Sequence, residues 1–110
     1  MADESWRTAD TEELVGALLR LRDADEGARF LRDLCTLAEI HDLAQRWAVV
    51  RLLDSGKNYA EISRDTGAST ATITRIASWL RHGENGYREA LVRLRDARES
   101  GIPYPTRAER

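Results

Sequence analysis

Cysteine is almost missing from this chain. Cys35 stands alone, so no internal disulfide can form, and a single thiol on an apolar stretch is expected to be a small buried hydrophobe. Two prolines and seven glycines occur in 110 residues. They fall mostly between periodic segments, as an all-α chain requires. No apolar run approaches the ~18 residues of a membrane span, and the acidic N-terminal segment is not expected to act as a signal peptide. The cytoplasm is the expected compartment, with no membrane partner. The only histidines, His41 and His82, lie far apart in sequence and outside any metal-ligand spacing. Cys35 has no neighbouring histidine, and no strand precedes a glycine-rich phosphate loop. Converging catalytic groups are therefore not expected, nor a metal, nor a cofactor.

A basic balance is also lacking, because the net charge is −2. Divided along the chain, the picture changes. Residues 1–42 hold five Lys/Arg against eleven Asp/Glu, and residues 43–110 hold twelve against eight, giving −6 and +4. Such asymmetry suggests that part of the surface faces an anion, although two ordinary solvated faces would give the same count.

What is present is helical periodicity. Asp10 and Glu13 suit a capping pair, and Leu14, Ala17, Leu18 and Leu21 then predict a first helix over 11–23. Asp25 suits the cap of a short second helix over 26–35, with Phe30, Leu31 and Leu34 as its stripe. Thr36 and Glu39 have the spacing of a capping box and open the longest helix, 37–55, which should stop at Gly56. Its second half, Trp47-Ala-Val-Val-Arg-Leu-Leu53, is apolar on most sides, and such a helix must be covered on all of them. In so short a chain a second copy is the expected cover, with Val50 at its interface. Asn58 and Glu61 repeat the capping logic for a helix over 59–66 ended by Gly67. Ser69 or Thr70 caps the next, 70–82, ended by Gly83. A last helix spans 86–99, with Tyr87, Ala90, Leu91 and Leu94 in register and Gly101 closing it. The tail, 102–110, has no periodicity and is expected to be flexible. A single helical domain over 1–101 follows.

The stretch 59–82 has the form of a helix-turn-helix: a short helix, a glycine turn and a second, two-faced helix. Ile73, Ile76, Ala77 and Leu80 share its inner face, while Ala71, Thr74, Arg75 and Ser78 share the outer one. That outer face is small, hydroxylated and basic, which suits entry into a DNA major groove. Arg can fork onto guanine, Ser and Thr can donate or accept, and Ala or a Thr methyl can meet thymine. Ser69 and Thr70 sit at the helix N-terminus, where free N–H groups favour a phosphate. Lys57, Arg64 and Arg81 are further candidate phosphate contacts. The acidic Glu61 and Asp65 keep open a second possibility, a homodimeric helical module that docks a protein and binds no DNA.

The segments Leu34-Cys-Thr-Leu-Ala-Glu39, Gln45-Arg-Trp-Ala-Val-Val-Arg-Leu-Leu53 and Tyr59-Ala-Glu-Ile-Ser-Arg-Asp-Thr-Gly-Ala-Ser-Thr-Ala-Thr-Ile-Thr-Arg-Ile76 resemble the Trp repressor superfamily. Within it they are similar to the YerC/YecD-like branch of small bacterial proteins. The resemblance implies an intertwined all-helical homodimer of about six helices per chain, with 11–55 and 86–99 as dimerisation helices. It implies double-stranded DNA as partner and transcriptional regulation, most simply repression, as the role. In the Trp repressor the bound indole lies between two arginines, and Arg46 and Arg75 stand at those places here. That family member has glycine directly after the second arginine and serine one turn beyond it, whereas this chain has Ile76 and Trp79. These two are expected to fill the ligand space and to leave a DNA-binding dimer without tryptophan as corepressor; Trp79 either occupies the vacated pocket as a built-in indole or simply packs in the core. Whether another small effector acts is left open.

Overall fold

The computed structural model describes residues 4–99. Among these there are six α-helices and no strand: α1 Ala9–Leu18, α2 Ala24–Leu34, α3 Leu37–Asp54, α4 Tyr59–Thr66, α5 Thr70–His82 and α6 Gly86–Glu99. The expected Gly101 stop and the tail 102–110 lie outside the described residues. Contacts divide the chain into two compact units after Thr36.

In the first unit both helices start earlier than the periodicity predicts, and α1 ends earlier as well. Thr8, not Asp10, caps α1: its hydroxyl accepts the Thr11 N–H at 3.1 Å. Asp23, not Asp25, caps α2 by accepting from the Glu26 N–H at 2.9 Å. An ion pair from Arg22 to Glu26, 2.9 Å, secures the same turn. Each cap competes with an equally suitable residue two positions later, and the earlier one prevails. Once Asp23 caps α2, Leu21 falls in the connection instead of extending α1. Cys35 ends α2 only partly buried. No residue of α1 or α2 is fully buried in one copy of the chain.

The second unit contains the core. Helices α3, α4 and α5 pack on one another, and Val49, Val50, Ile62, Ala68, Ile73 and Ile76 form one buried cluster, each at most 2% exposed. Each large member contributes on the order of 1.5–3 kcal/mol relative to exposure. Trp47, Leu52, Leu53, Tyr59, Leu80, Tyr87 and Leu91 pack around it, bringing α6 against the cluster through Tyr87 and Leu91. The Trp47 and Tyr87 rings lie 6.3 Å apart at a tilt of 39°, an ordinary favourable aromatic geometry.

One expectation is corrected here. Val50 is not surface awaiting a second copy, because it and Val49 are fully buried within one chain, in the cluster shared with α4 and α5, while Arg51 beside them is exposed. The apolar residues left open on α3 lie in its other half, Leu37 at 66% exposure and Leu43 at 45%.

Candidate nucleic-acid interface

The turn between α4 and α5 is built from the sequence outward. Asn58 caps α4 by accepting from the Glu61 N–H at 2.9 Å. Gly67 ends it with φ +77°, the left-handed conformation that a side chain disfavours. Ala68 then points into the core, and Ser69 caps α5 by accepting the Thr72 N–H at 3.1 Å. Polar side chains tie this turn down. Ser63 Oγ donates to the Ala68 carbonyl at 2.8 Å, and Thr66 Oγ1 accepts from the Ala68 N–H at 3.1 Å while donating to the Ile62 carbonyl at 2.7 Å. From α3, Gln45 Nε2 donates to the Thr66 carbonyl at 3.0 Å. With its backbone groups paired, such a turn holds α5 at a fixed angle to α3 and α4.

On α5 the inner and outer faces separate as the spacing predicts. Ile73, Ile76 and Ala77 are buried and Leu80 is partly so, while Thr70, Ala71, Thr74, Arg75 and Ser78 are exposed. The hydroxyls on that face are not equivalent. Thr74 Oγ1 donates back to the Thr70 carbonyl at 2.9 Å, so it offers solvent a lone pair and a methyl. Ser69 is exposed but engaged in its cap. Among the described residues nothing holds the hydroxyls of Thr70 and Ser78. Lys57 stands apart from α5, in the connection after α3, and pairs with Glu61 at 3.7 Å. Asp65 is likewise paired, with Arg64 at 3.5 Å. The two acidic residues of α4 thus have cations beside them.

Arg46, Arg75 and Trp79 are brought together, lining one cleft of about 220 Å³ with Asp42, Gln45, Thr72 and Ile76. The Arg46 guanidinium carbon lies 6.0 Å from the centre of the Trp79 ring, within cation–π range. Ile76 is buried at the cleft wall, but Trp79 is 46% exposed and forms a side of the cleft instead of filling it. Asp42, Gln45 and Thr72 are the members sequence reasoning missed. Asp42 stands one turn before Arg46, and Thr72 one turn before Arg75, so helical spacing from each arginine could have found both.

Comparison with other proteins identifies a family. A sequence model described as Trp repressor protein matches residues 9–95. The Bacillus subtilis (strain 168) protein named Uncharacterized protein YerC is 42% identical over 96 residues, 87% of this chain and 92% of that one. The crystal structure of a TrpR-like protein from Eubacterium eligens superposes with a TM-score of 0.79 at 40% identity, covering 84% of this chain and 95% of that one. A Staphylococcus aureus structure superposes with a TM-score of 0.80, also at 40% identity, over 86% and 95% of the two chains. The matched span takes in the capped turn, the two-faced α5 and the arginine cleft alike, and on that basis the chain belongs to the Trp repressor family.

Proposed function

We propose that this protein is a sequence-specific DNA-binding transcriptional regulator, most simply a repressor, that inserts α5 into the major groove. The observation that carries this is the division of α5: a buried aliphatic face fixes the helix, and its exposed face presents Ala71, Thr74, Arg75 and Ser78. Ser69 and Thr70 at the N-terminus, with Lys57 beside the motif, supply backbone and phosphate contacts. Pairing of Glu61 with Lys57 and of Asp65 with Arg64 weakens the main objection to an anionic partner. The working form is a homodimer. Leu14, Leu18 and Leu19 of the first unit and Leu37 and Leu43 of α3 are exposed in a single copy, and a second copy is the cover that this reading assigns to them.

Titration of a labelled duplex carrying the protein's own upstream region, followed by fluorescence anisotropy at low and physiological salt, tests this function. Binding through several phosphates must weaken steeply with salt, by about 10³ or more between 50 and 200 mM for six contacts. Absence of binding at low salt would favour the protein-docking alternative.

The same proposal holds that tryptophan is not the corepressor. Trp79 already sets an indole against Arg46, and Ile76 closes part of the cleft wall. Calorimetry with L-tryptophan should give no saturable heat at micromolar concentration. Saturable micromolar binding would restore the cleft to an amino-acid effector.

A further inference from the structure

Ser69, the cap of α5, and Thr72 and Arg75 within the helix follow one another at three-residue spacing and are joined by a chain of hydrogen bonds. Ser69 Oγ accepts the Thr72 backbone N–H at 3.1 Å and donates to Thr72 Oγ1 at 3.0 Å. Thr72 Oγ1 also accepts from Arg75 Nη2 at 3.2 Å. No carboxylate among the described residues lies within ion-pair distance of Arg75, so this is the one hydrogen bond that orients its guanidinium. Thr72 itself is fixed: it is partly buried, β-branched, and tied to the helix cap through both its backbone and its hydroxyl. An exposed arginine without such a tether samples many rotamers, and forked recognition of guanine requires one plane.

We propose that Thr72 is the positioning residue for base reading. Its hydroxyl, held by Ser69, sets the plane in which Arg75 presents its remaining N–H groups to the groove. The proposal rests on α5 being a DNA-reading helix, and it assigns to Thr72 specificity without a base contact of its own.

The test begins by enriching duplexes from a random pool with the wild-type chain. The base pair at which Arg75→Ala relaxes preference is then located. Discrimination at that pair and at a distant pair is measured for Thr72→Val, Thr72→Ser and the Thr72→Val/Arg75→Ala double variant, with thermal melts as a control. Valine keeps the shape and the backbone bond to Ser69, and Thr72→Ala serves if valine is not tolerated. Expected is a loss of about tenfold in discrimination at the Arg75 pair alone in Thr72→Val, retention in Thr72→Ser, and no loss in the double variant beyond that of Arg75→Ala alone. Wild-type discrimination in Thr72→Val, an equal loss in Thr72→Ser, or a uniform loss across sequences would overturn the assignment. So would an Arg75→Ala variant that relaxes no base pair, which would still leave DNA binding standing. A wild-type chain that enriches no sequence would remove sequence-specific reading by α5, and this inference with it.

Discussion

The two halves of α3 have similar apolar content and opposite fates. Val49 and Val50, late in the helix, are fully enclosed, whereas Leu37 and Leu43, early in it, are exposed. Composition predicts only that such a helix requires cover. Which half finds its cover within the chain depends on where α4, α5 and α6 return, and they return to the second half. The distinction divides the labour of the helix. Its late half carries the core beneath α5, and its early half leaves Leu37 and Leu43 exposed.

The largest expected effect breaks the enclosed half. Val50→Asp places an unpaired charge in the cluster and should cost about 3–5 kcal/mol. Chemical denaturation followed by circular dichroism should show loss of cooperative folding at every protein concentration. A folded variant that merely dissociates would place Val50 at an interface after all. Next comes the helix above that core. Arg75→Ala should weaken binding to a selected duplex by about 1–3 kcal/mol and relax preference at one base pair. Lys57→Ala, which removes a residue outside α5 already paired with Glu61, should lower affinity slightly and evenly across sequences. It should also reduce the salt slope by about one unit. Anisotropy on a small duplex panel separates the two, and equal effects would count against α5 as the reading element.

The motif was legible because its signals are local. Asn58, Gly67 and Ser69 each act within one turn, through a cap or a left-handed residue, so α4 and α5 begin and end at the expected positions. The first unit was less legible for an equally local reason. Thr8 and Asp10, and again Asp23 and Asp25, are capping residues two apart, and sequence cannot rank them. The cleft was half legible: Arg46, Arg75 and Trp79 could be named, but its size could not. Whether an indole at position 79 fills a space or walls it depends on a side-chain torsion and on the distance between α3 and α5. Val50 was misplaced because periodicity shows that a residue must be covered without showing what covers it. The Ser69–Thr72–Arg75 chain needed coordinates, since an i, i+3 spacing permits such bonds without requiring them.

The smallest expected effect on the fold is the one that decides the role of the exposed half. Leu43 is 45% exposed and belongs to no buried cluster. Leu43→Asp should therefore change the stability of an isolated chain by no more than about 0.5 kcal/mol, as surface substitutions do. In a homodimer that covers this half, the same change places a carboxylate in an apolar interface. Sedimentation equilibrium should then report a mass near 12.5 kDa where the wild type gives twice that value. The contrast with Val50→Asp is the informative part. One substitution should abolish folding at any concentration, and the other should leave helicity intact while shifting the dimer equilibrium. Loss of folding in both would mean that the chain has no stable monomer and that the two halves form one core shared between copies. A Leu43→Asp chain that keeps the wild-type mass would leave the early half of α3 uncovered, and the dimer contacts would have to be sought on α1 and α2.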